Sequence, residues 1–451
     1  QRFVGGTALS RSAAMTVTYL PGRAPLPSRE HPVKGPQIGV WMKEKAEADR
    51  ARCPGLTPDL WCIRGELYDL SGFVKSHPGG EMWIRETKGM DVTEWFETHH
   101  VNIAKAEQYM ARYKVGECKE FQPIFTFKND GFYATLRRRV HESGNGITGP
   151  AKSTQAVGVA CLMGWAACFV AMTQKRNAAG EKGSYKLAVP CGMMLYTMFG
   201  LGHNFFHMRD TIFRFLFDLS TFSSHRWRFS HALGHHPYVN LEIDPEAYTL
   251  ENVLSYLRSR PTNHWSVFPR WPIFNFLLGP LQSIAPLLQA SATDPLLPRD
   301  AMPFIQAAIA AKLCGSVKRG IGLVVVMHGV MTSILIALST PVHRSDESWT
   351  EGCDNPVMDY GEHIVKTTQE YSIDCNPVMR MALGFNDHII HHLFPTIDVA
   401  NQHRVRQLLD EELKAHKVPM RKVSFLRLLW GTARVLWRPG NKIMYNPPDA
   451  M

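Results

Sequence analysis

The sequence predicts a multidomain chain, in which a small α+β domain of soluble character precedes a mainly α-helical membrane domain with about four transmembrane helices. Three observations support this fold class. Residues 46–120 mix charged residues with short apolar runs and with turns marked by proline and glycine. From residue 151 onward, long apolar segments alternate with polar breaks. The chain has 20 histidines, and several of them gather in short windows beside these apolar segments.

Composition and charge exclude several classes of protein. Of the 451 residues, 45% are hydrophobic and 20% are charged, which excludes a disordered or low-complexity chain. The net charge of +10 allows nucleic acid or an anionic membrane as a partner. Because the basic residues of 396–451 follow the apolar region directly and no nucleic-acid motif accompanies them, we expect membrane lipid and no nucleic acid. The nine cysteines have no paired spacing, which predicts reduced thiols.

The segments around the α+β domain have their own patterns. Residues 1–45 contain closely spaced prolines, which predict a disordered or flexible N-terminal segment. Residues 121–150 form a predicted linker with a basic amphipathic helix at 132–140, which fits either a membrane surface or ordinary solvent. Near the C-terminal end, the pattern of 398–417 predicts an exposed amphipathic helix.

The membrane domain is expected over residues 151–451. Its apolar segments are about 17–20 residues long with their flanks, which is the lower limit for a spanning helix. The candidates are 157–172, 187–202, 273–288, 302–314 and 321–338. The fourth is short and prolines interrupt the third, so either fits an interfacial or re-entrant segment. Buried core helices of a soluble protein are the alternative interpretation.

The first histidine motif is His77, which precedes a Pro-Gly-Gly turn. Such a turn holds the preceding side chain outward, because proline fixes φ and glycine adopts conformations that other residues avoid. His100 follows His77 by 23 residues, directly after His99 and among large apolar residues. Two histidines across an apolar slot suit a bis-histidine haem, and surface histidines in a turn are the alternative.

Segments 68–70, 77–80 and 89–96 resemble a cytochrome b5 domain. The resemblance implies haem b, with His77 as one axial ligand and His100 as the other, and His99 stays open as the alternative to His100. It also implies an acidic surface near the haem edge that would attract basic electron-transfer partners. The acidic residues in this region are Glu81, Glu86, Asp91, Glu94 and Glu97.

Three further windows contain histidines one helical turn apart, which places them on one helix face. They are His203 and His207; His231, His235 and His236; and His388, His391 and His392. Imidazole binds iron, zinc and copper alike. Eight ligands exceed the need of one tetrahedral zinc and suit two metal ions in one site. If the windows meet in one site, an even number of spans must separate the second window from the third.

The three windows resemble the histidine boxes of membrane fatty-acid desaturases and hydroxylases, and their fusion behind a cytochrome b5 domain resembles the front-end acyl-lipid desaturases. A narrower resemblance, through segments 83–89, 202–207 and 387–396, is to the cytochrome b5-related proteins. The family usually has Gln at the position of His388, which puts the substrate and double-bond position in doubt. The family often recruits one more ligand between the second and third boxes. Here His363 is the first candidate, with His328 and His343 behind it.

The resemblance implies an oxidoreductase of lipid metabolism in the endoplasmic-reticulum membrane, a multi-pass protein whose haem domain and histidine boxes face the cytosol. Electrons would pass from NADH through NADH-cytochrome b5 reductase and the haem to two non-haem irons, which use O2 to oxidise a C–H bond of an acyl-lipid substrate. Desaturation and hydroxylation both stay open. A haem electron carrier with an inactive desaturase domain and a zinc-containing membrane protein are the alternatives.

Overall fold

The computed structural model describes residues 38–144, 147–241, 243–247, 267–290, 294–349, 358–371 and 385–437. Helix α1 spans Ile38–Arg52. Residues 38–45 are therefore helical, whereas the sequence predicted a flexible segment up to residue 45, and the rest of that segment lies outside the described residues. The helix is held by packing that no local pattern reveals: Trp41 is buried and its indole N–H donates to the carbonyl oxygen of Ile243 at 2.8 Å.

The N-terminal domain is a small α+β unit with an antiparallel sheet in the order β1-β2-β3. In the sheet, Trp61 pairs with Tyr68 and Leu67 pairs with Gly116. The buried face of the sheet packs against short helices that complete the domain. Its elements after α1 are β1 (Trp61–Ile63), β2 (Glu66–Tyr68), α2 (Glu81–Arg85), α3 (Thr93–His99), α4 (Ile103–Met110) and β3 (Lys114–Glu117).

A disulfide in this domain contradicts the expectation that the cysteines are reduced thiols. Cys53 and Cys118 form a disulfide that joins the end of α1 to the segment after β3, across a sequence separation of 65 residues. The expectation rested on spacing along the chain, whereas the sheet brings these two Cα atoms to 5.6 Å. Cys62 lies beside the pair, with its Sγ 3.0 Å from the Sγ of Cys53. The other described cysteines form no disulfide; they are Cys62, Cys161, Cys168, Cys191 and Cys314.

The remainder of the described chain is helical. Helices α6, α7, α10 and α11 pack around an apolar core that includes Phe169, Leu195 and Met327. The helices are α5 (Phe132–Glu142), α6 (Lys152–Gln174), α7 (Tyr185–Asn204), α8 (Ser224–Trp227), α9 (Val267–Gln289), α10 (Met302–Cys314), α11 (Val317–Arg344), α12 (Tyr360–Thr367), α13 (His388–Leu393), α14 (His403–Ala415) and α15 (Phe425–Leu436).

Two helices of the described chain, α6 and α11, are long and apolar enough to cross a membrane. The expectation of about four spans is therefore not confirmed. The other apolar segments differ from regular spans: α9 contains three prolines in its interior, and α10 has 13 residues, about 20 Å of helix. That length is short of the ~30 Å hydrocarbon layer.

Close helix packing brings the ends of α7 and α11 together. Gly192 of α7 lies against the backbone of Met327 in α11, where a Cβ atom would collide with the carbonyl oxygen of Met327. A small residue at this contact lets the two backbones approach directly. As a result, the C-terminal turns of α7 and α11, which carry His203 and His343, end at the same side of the helix bundle.

Candidate haem and metal sites

The haem-type slot is built from His77 and His100. The Nδ1 atom of His77 lies 2.9 Å from the carbonyl oxygen of Gly80, and the Nδ1 atom of His100 lies 2.8 Å from the carbonyl oxygen of Phe96. Each ring can therefore donate its Nδ1–H to the backbone, which fixes the ring and leaves its Nε2 atom as a ligand. The two ring centroids are 6.2 Å apart.

This geometry fits an iron between the two rings. Bonds of about 2 Å from one iron to both Nε2 atoms would separate the ring centroids by about 6 Å. Burial lowers the pKa of His100 to about 4 and also lowers the pKa of His77, so both imidazoles are neutral at neutral pH, as ligation requires. The rings of Phe73 and Phe96 form apolar walls beside them.

His99 faces the opposite way from His100. Its Nδ1 atom lies 3.1 Å from the carbonyl oxygen of Trp95, and its ring packs 5.1 Å from the Trp83 ring. The ring of His207, a histidine of the second domain, is 6.1 Å away. Of the two adjacent histidines, His100 thus faces His77 and His99 faces the helical domain.

The predicted acidic docking surface is largely buried, which corrects the expectation of an open acidic face. Asp91, Glu94 and Glu97 are each at most 1% exposed. Glu97 pairs with Arg64 and Arg137. The sequence could not show this, because the side chain of Arg137 comes from the linker helix α5, which packs over the domain. Glu81 and Glu86 do remain at the surface, where both pair with Arg85.

Helix α3 holds the haem-type domain against the helical domain. The indole N–H of Trp95 donates to the carbonyl oxygen of Leu233 at 3.1 Å, and the hydroxyl of Tyr238 donates to Glu94 at 3.1 Å. The hydroxyl of Tyr133 lies within hydrogen-bond distance of the carbonyl oxygens of both Glu97 and Leu393. The helix that leads to His99 and His100 thus lies between the second and third histidine windows.

Local backbone geometry brings each histidine window to the same place. His203 lies in the last turn of α7, and the third window lies on α13. The second window lies in a π-helix, Arg228–His235, where the backbone N–H of His236 donates to the carbonyl oxygen of His231 at 2.9 Å. Single π-turns of this kind are frequent at functional sites.

Five imidazoles form the first group of candidate ligands. The Nε2 atom of His231 lies 2.8 Å from that of His203 and 3.1 Å from that of His236. The Nε2 atom of His391 lies 3.3 Å from that of His203. One ligand atom from each ring lies within 4.8 Å of all the others, and the group consists of His203, His207, His231, His236 and His391.

Four imidazoles form the second group, directly beside the first. The Nε2 atom of His343 lies 2.8 Å from that of His388 and 3.3 Å from that of His235. The Nε2 atom of His392 lies 3.2 Å from that of His388. The two groups meet where the rings of His236 and His392 stack at 4.1 Å.

The chemistry of these nine side chains fits two metal ions. Burial lowers the pKa of His391 to about 3 and the pKa of His207 well below its ordinary value, so these two rings are neutral and offer free lone pairs. Neither nitrogen of His207 has a protein partner in the described part of the chain. Unpaired buried nitrogens are costly, and a bound cation would satisfy them.

Two carboxylates orient the rings from behind. The Nδ1 atom of His231 lies 2.8 Å from Oε1 of Glu246, and the Nδ1 atom of His235 lies 3.0 Å from Oδ2 of Asp244. Burial alone would lower the pKa of His235, but the charges of Asp244 and Glu246 raise it above its ordinary value. Carboxylates that accept from Nδ1 direct Nε2 toward a metal.

The sequence interpretation missed these carboxylates. The available signal was a short acidic stretch, Asp244-Pro245-Glu246, eight residues after the second window. Gly234 allows this stretch to approach, because a Cβ atom there would collide with the ring of Pro245.

Of the three histidines considered between the second and third windows, the structure places His343, and not the first candidate His363, among the converging rings. The Nε2 atom of His363 lies 2.9 Å from the carbonyl oxygen of Val239, and its ring packs on Phe125. His328 faces Gln306 inside the helix bundle, with Nε2 and Oε1 2.9 Å apart. Only His343 of these three lies among the converging rings of the described chain.

A cavity of about 140 Å³ adjoins both groups. Its apolar wall is formed by Phe199, Trp227, Leu335 and Phe385, and imidazoles form the facing wall. Its apolar wall offers a contact surface for a short segment of an apolar chain beside the imidazoles.

Comparisons with known proteins agree with this architecture. The family described as "Fatty acid desaturase" matches residues 185–424, and the one described as "Cytochrome b5-like Heme/Steroid binding domain" matches residues 46–119. The chain is 30% identical over 415 residues to the Drosophila melanogaster "Cytochrome b5-related protein", covering 88% of this chain and 91% of that protein. No solved structure matches.

More distant relatives carry enzyme names. The chain is 24% identical over 436 residues to "Acyl-lipid (8-3)-desaturase B" of Dictyostelium discoideum, covering 85% of this chain and 91% of that protein. It is 24% identical over 397 residues to "Acyl-lipid (8-3)-desaturase" of Mortierella alpina, covering 79% of this chain and 88% of that protein. The predicted two-domain architecture and the resemblance to cytochrome b5-related proteins are thus confirmed. The chain belongs to the fatty acid desaturase family and has a cytochrome b5-like haem domain in front of its helical domain.

Proposed function

We propose that this protein is an acyl-lipid desaturase that uses O2 and takes electrons through its own haem domain. The observation that carries the proposal is the convergence of nine imidazoles in two adjacent groups beside an apolar cavity. Five and four ligands suit two metal ions, and a fused haem domain supplies single electrons, which zinc could not use. The desaturase names of the more distant relatives support the same reaction class.

The proposed ligands follow from the geometry. Haem b would be held by His77 and His100. Two non-haem irons would be held by the two groups, which are His203, His207, His231, His236 and His391, and His235, His343, His388 and His392. When bound, the two irons supply the activation of O2.

Other residues of the chain orient the metal ligands and line the substrate cavity. Asp244 and Glu246 accept from the rings of His235 and His231, so that the coordinating nitrogens stay directed inward. Phe199 and Leu335 line the cavity and would hold an apolar acyl chain beside the imidazoles while they exclude water.

The proposed partners and location follow from this function. The electrons would come from NADH through NADH-cytochrome b5 reductase, which could dock at the surface that still presents Glu81 and Glu86. The protein would be a multi-pass protein of the endoplasmic-reticulum membrane, with α6 and α11 among its spans and the haem domain on the cytosolic side. Membrane lipid would supply the acyl substrate.

A second candidate function is electron transfer without lipid oxidation. The relative that is 30% identical over 88% of this chain is named for cytochrome b5 and not for a desaturase activity. The third window also begins with His388, where desaturases of the front-end type usually carry Gln. Acyl-lipid hydroxylation would use the same site and differ only in the product.

The deciding experiment is a metal analysis of the full chain purified in mild detergent. Iron, zinc and haem are measured in one sample. About three irons per haem, one in the porphyrin and two outside it, would support the oxidase and justify analysis of the lipid products. About one iron per haem would favour the electron carrier. Zinc in the two additional positions would overturn the proposed chemistry.

A further inference from the structure

His99 occupies the space between the haem-type slot and the first histidine group. It is joined by one peptide bond to His100, and its ring centroid is 6.1 Å from that of His207. The Nε2 atom of His99 is buried, and neither it nor the two ring nitrogens of His207 has a protein partner among the described residues.

The orientation of His99 is fixed by its neighbours. Its Nδ1 atom lies 3.1 Å from the carbonyl oxygen of Trp95 and 3.0 Å from the hydroxyl of Thr98. The centroid of the Trp83 ring lies 5.1 Å from that of His99, and the guanidinium of Arg228 lies over the Trp83 ring at 5.2 Å. Residues from both domains therefore hold the ring in the direction of His207.

The domain contact itself is fixed by buried hydrogen bonds. Trp95 donates to the backbone of Leu233, and the hydroxyl of Tyr133 lies within hydrogen-bond distance of backbone oxygens of both Glu97 and Leu393. Buried hydrogen bonds of this kind, with apolar surroundings, resist separation because each freed group would remain desolvated. The approach of His99 to His207 thus requires no movement of the haem domain.

We propose that His99 conducts electrons from the haem ligand His100 to the metal ligand His207. The inference rests on the proposed function and adds the route. One electron would leave the ferrous haem and reduce a ferric non-haem iron; no bond forms or breaks, and the His99 ring stays neutral. Electron tunnelling slows steeply as the distance between groups that are not bonded grows. This route has a covalent path through the backbone from His100 to His99 and then a single ring contact, from His99 to His207.

The test measures electron movement directly and not lipid turnover. The full-length protein in detergent is kept anaerobic, its haem is reduced by a flash-excited flavin, and the decay of the ferrous Soret band is followed. His99→Ala removes the ring and should slow the decay by at least about tenfold. His99→Phe restores a ring and should return the rate close to that of the wild type. If His99→Ala does not fold, His99→Ser takes its place.

The matched control is Trp95→Phe. It removes one of the hydrogen bonds that hold the interface, while the His99 ring and the contacts of the Tyr133 hydroxyl remain, so its decay should stay much closer to that of the wild type than the decay of His99→Ala. Haem content, haem reduction potential and non-haem iron content should be unchanged in all variants. If His99 had only a structural role, a variant with slower decay should also show a change in at least one of these three quantities.

Four other results would each contradict the inference, and they can be told apart. An unchanged decay in His99→Ala, with both irons present, shows that electrons take another route. Equal slowing by Trp95→Phe and His99→Ala shows that docking and not the ring matters. Loss of the Soret band in His99→Ala makes His99 the haem ligand. A wild-type protein that contains no non-haem iron refutes the proposed function together with the route.

Discussion

The Nε2 atoms of His343 and His388 lie 2.8 Å apart, although the two residues are 45 positions apart in the chain. His343 lies in the last turn of the long apolar helix α11, whereas His388 begins the short helix α13. With His235 and His392 they form the second group of imidazoles. This contact gives the second group four imidazoles beside the five of the first, and it yields the first prediction.

We expect His343→Ala to lower the non-haem iron content from about two to about one per haem, because one group loses a ligand and leaves the other intact. Iron and haem are measured together in the purified protein. The matched control is His363→Gln, which keeps a donor for the carbonyl oxygen of Val239 and should retain all the iron. If only the control loses iron, the ligand assignment is wrong.

His391→Ala should abolish lipid oxidation and leave the haem spectrum intact. The His391 ring belongs to the first group, and no haem-slot contact of this ring is present in the described chain. The assay follows unsaturated acyl products of cells that express the variant, with the Soret band as the reference. His403→Ala, which removes an exposed histidine outside both groups, should remain active. Retained turnover in His391→Ala would rule out the diiron assignment.

Replacement of His100 by alanine should eliminate the Soret band of a bis-histidine haem, because the ring opposite His77 is lost. His99→Phe, a substitution of its chain neighbour, should bind haem normally. Absorption spectra of the two variants, normalised to protein, decide between the two histidines. If His99→Phe loses haem and His100→Ala retains it, His99 is the haem ligand and His100 is not.

Asp244→Asn should weaken non-haem metal binding by about 10–100-fold, since this carboxylate orients His235 and favours the tautomer with a free Nε2. Competition with a metal chelator measures the affinity. Glu411→Gln changes an exposed carboxylate that pairs with Arg139, and its affinity should match the wild type. Equal affinity in Asp244→Asn and the wild type would show that the carboxylate does not support the ligand.

Glu97→Ala should lower the free energy of unfolding by about 3–5 kcal/mol, because Arg137 would remain buried without its partner. Denaturant unfolding followed by haem absorbance gives the value. Glu107→Ala removes an exposed partner of Arg64 and should cost less than about 1 kcal/mol. A small effect of Glu97→Ala would mean that water reaches Arg137 readily.

Several parts of the site could be predicted because their signal is local. Within each histidine window the helical spacing alone places the rings on one face, and the Pro-Gly-Gly turn after His77 has its own stereochemistry. His343 has no such signal, since it is a single histidine at the end of an apolar helix. Its role depends on the packing of α11 against α7 at Gly192.

The errors of the sequence interpretation have the same origin. The charges of Glu94 and Glu97 look like a solvated surface in a sequence, and only the packing of α5 and the π-helix against α3 buries them. Cys53 and Cys118 are distant in the chain and meet through the sheet. Burial and pairing of this kind are properties of the assembled structure.

The sequence by itself therefore determined the two domains, the haem-type turn and the three histidine windows, since helical periodicity and turn stereochemistry act over a few residues. The tertiary structure decided which additional histidine joins the windows, which carboxylates orient them and which of two adjacent histidines faces His77. These outcomes depend on how separate helices approach one another, and that approach is set by packing between residues far apart in the chain.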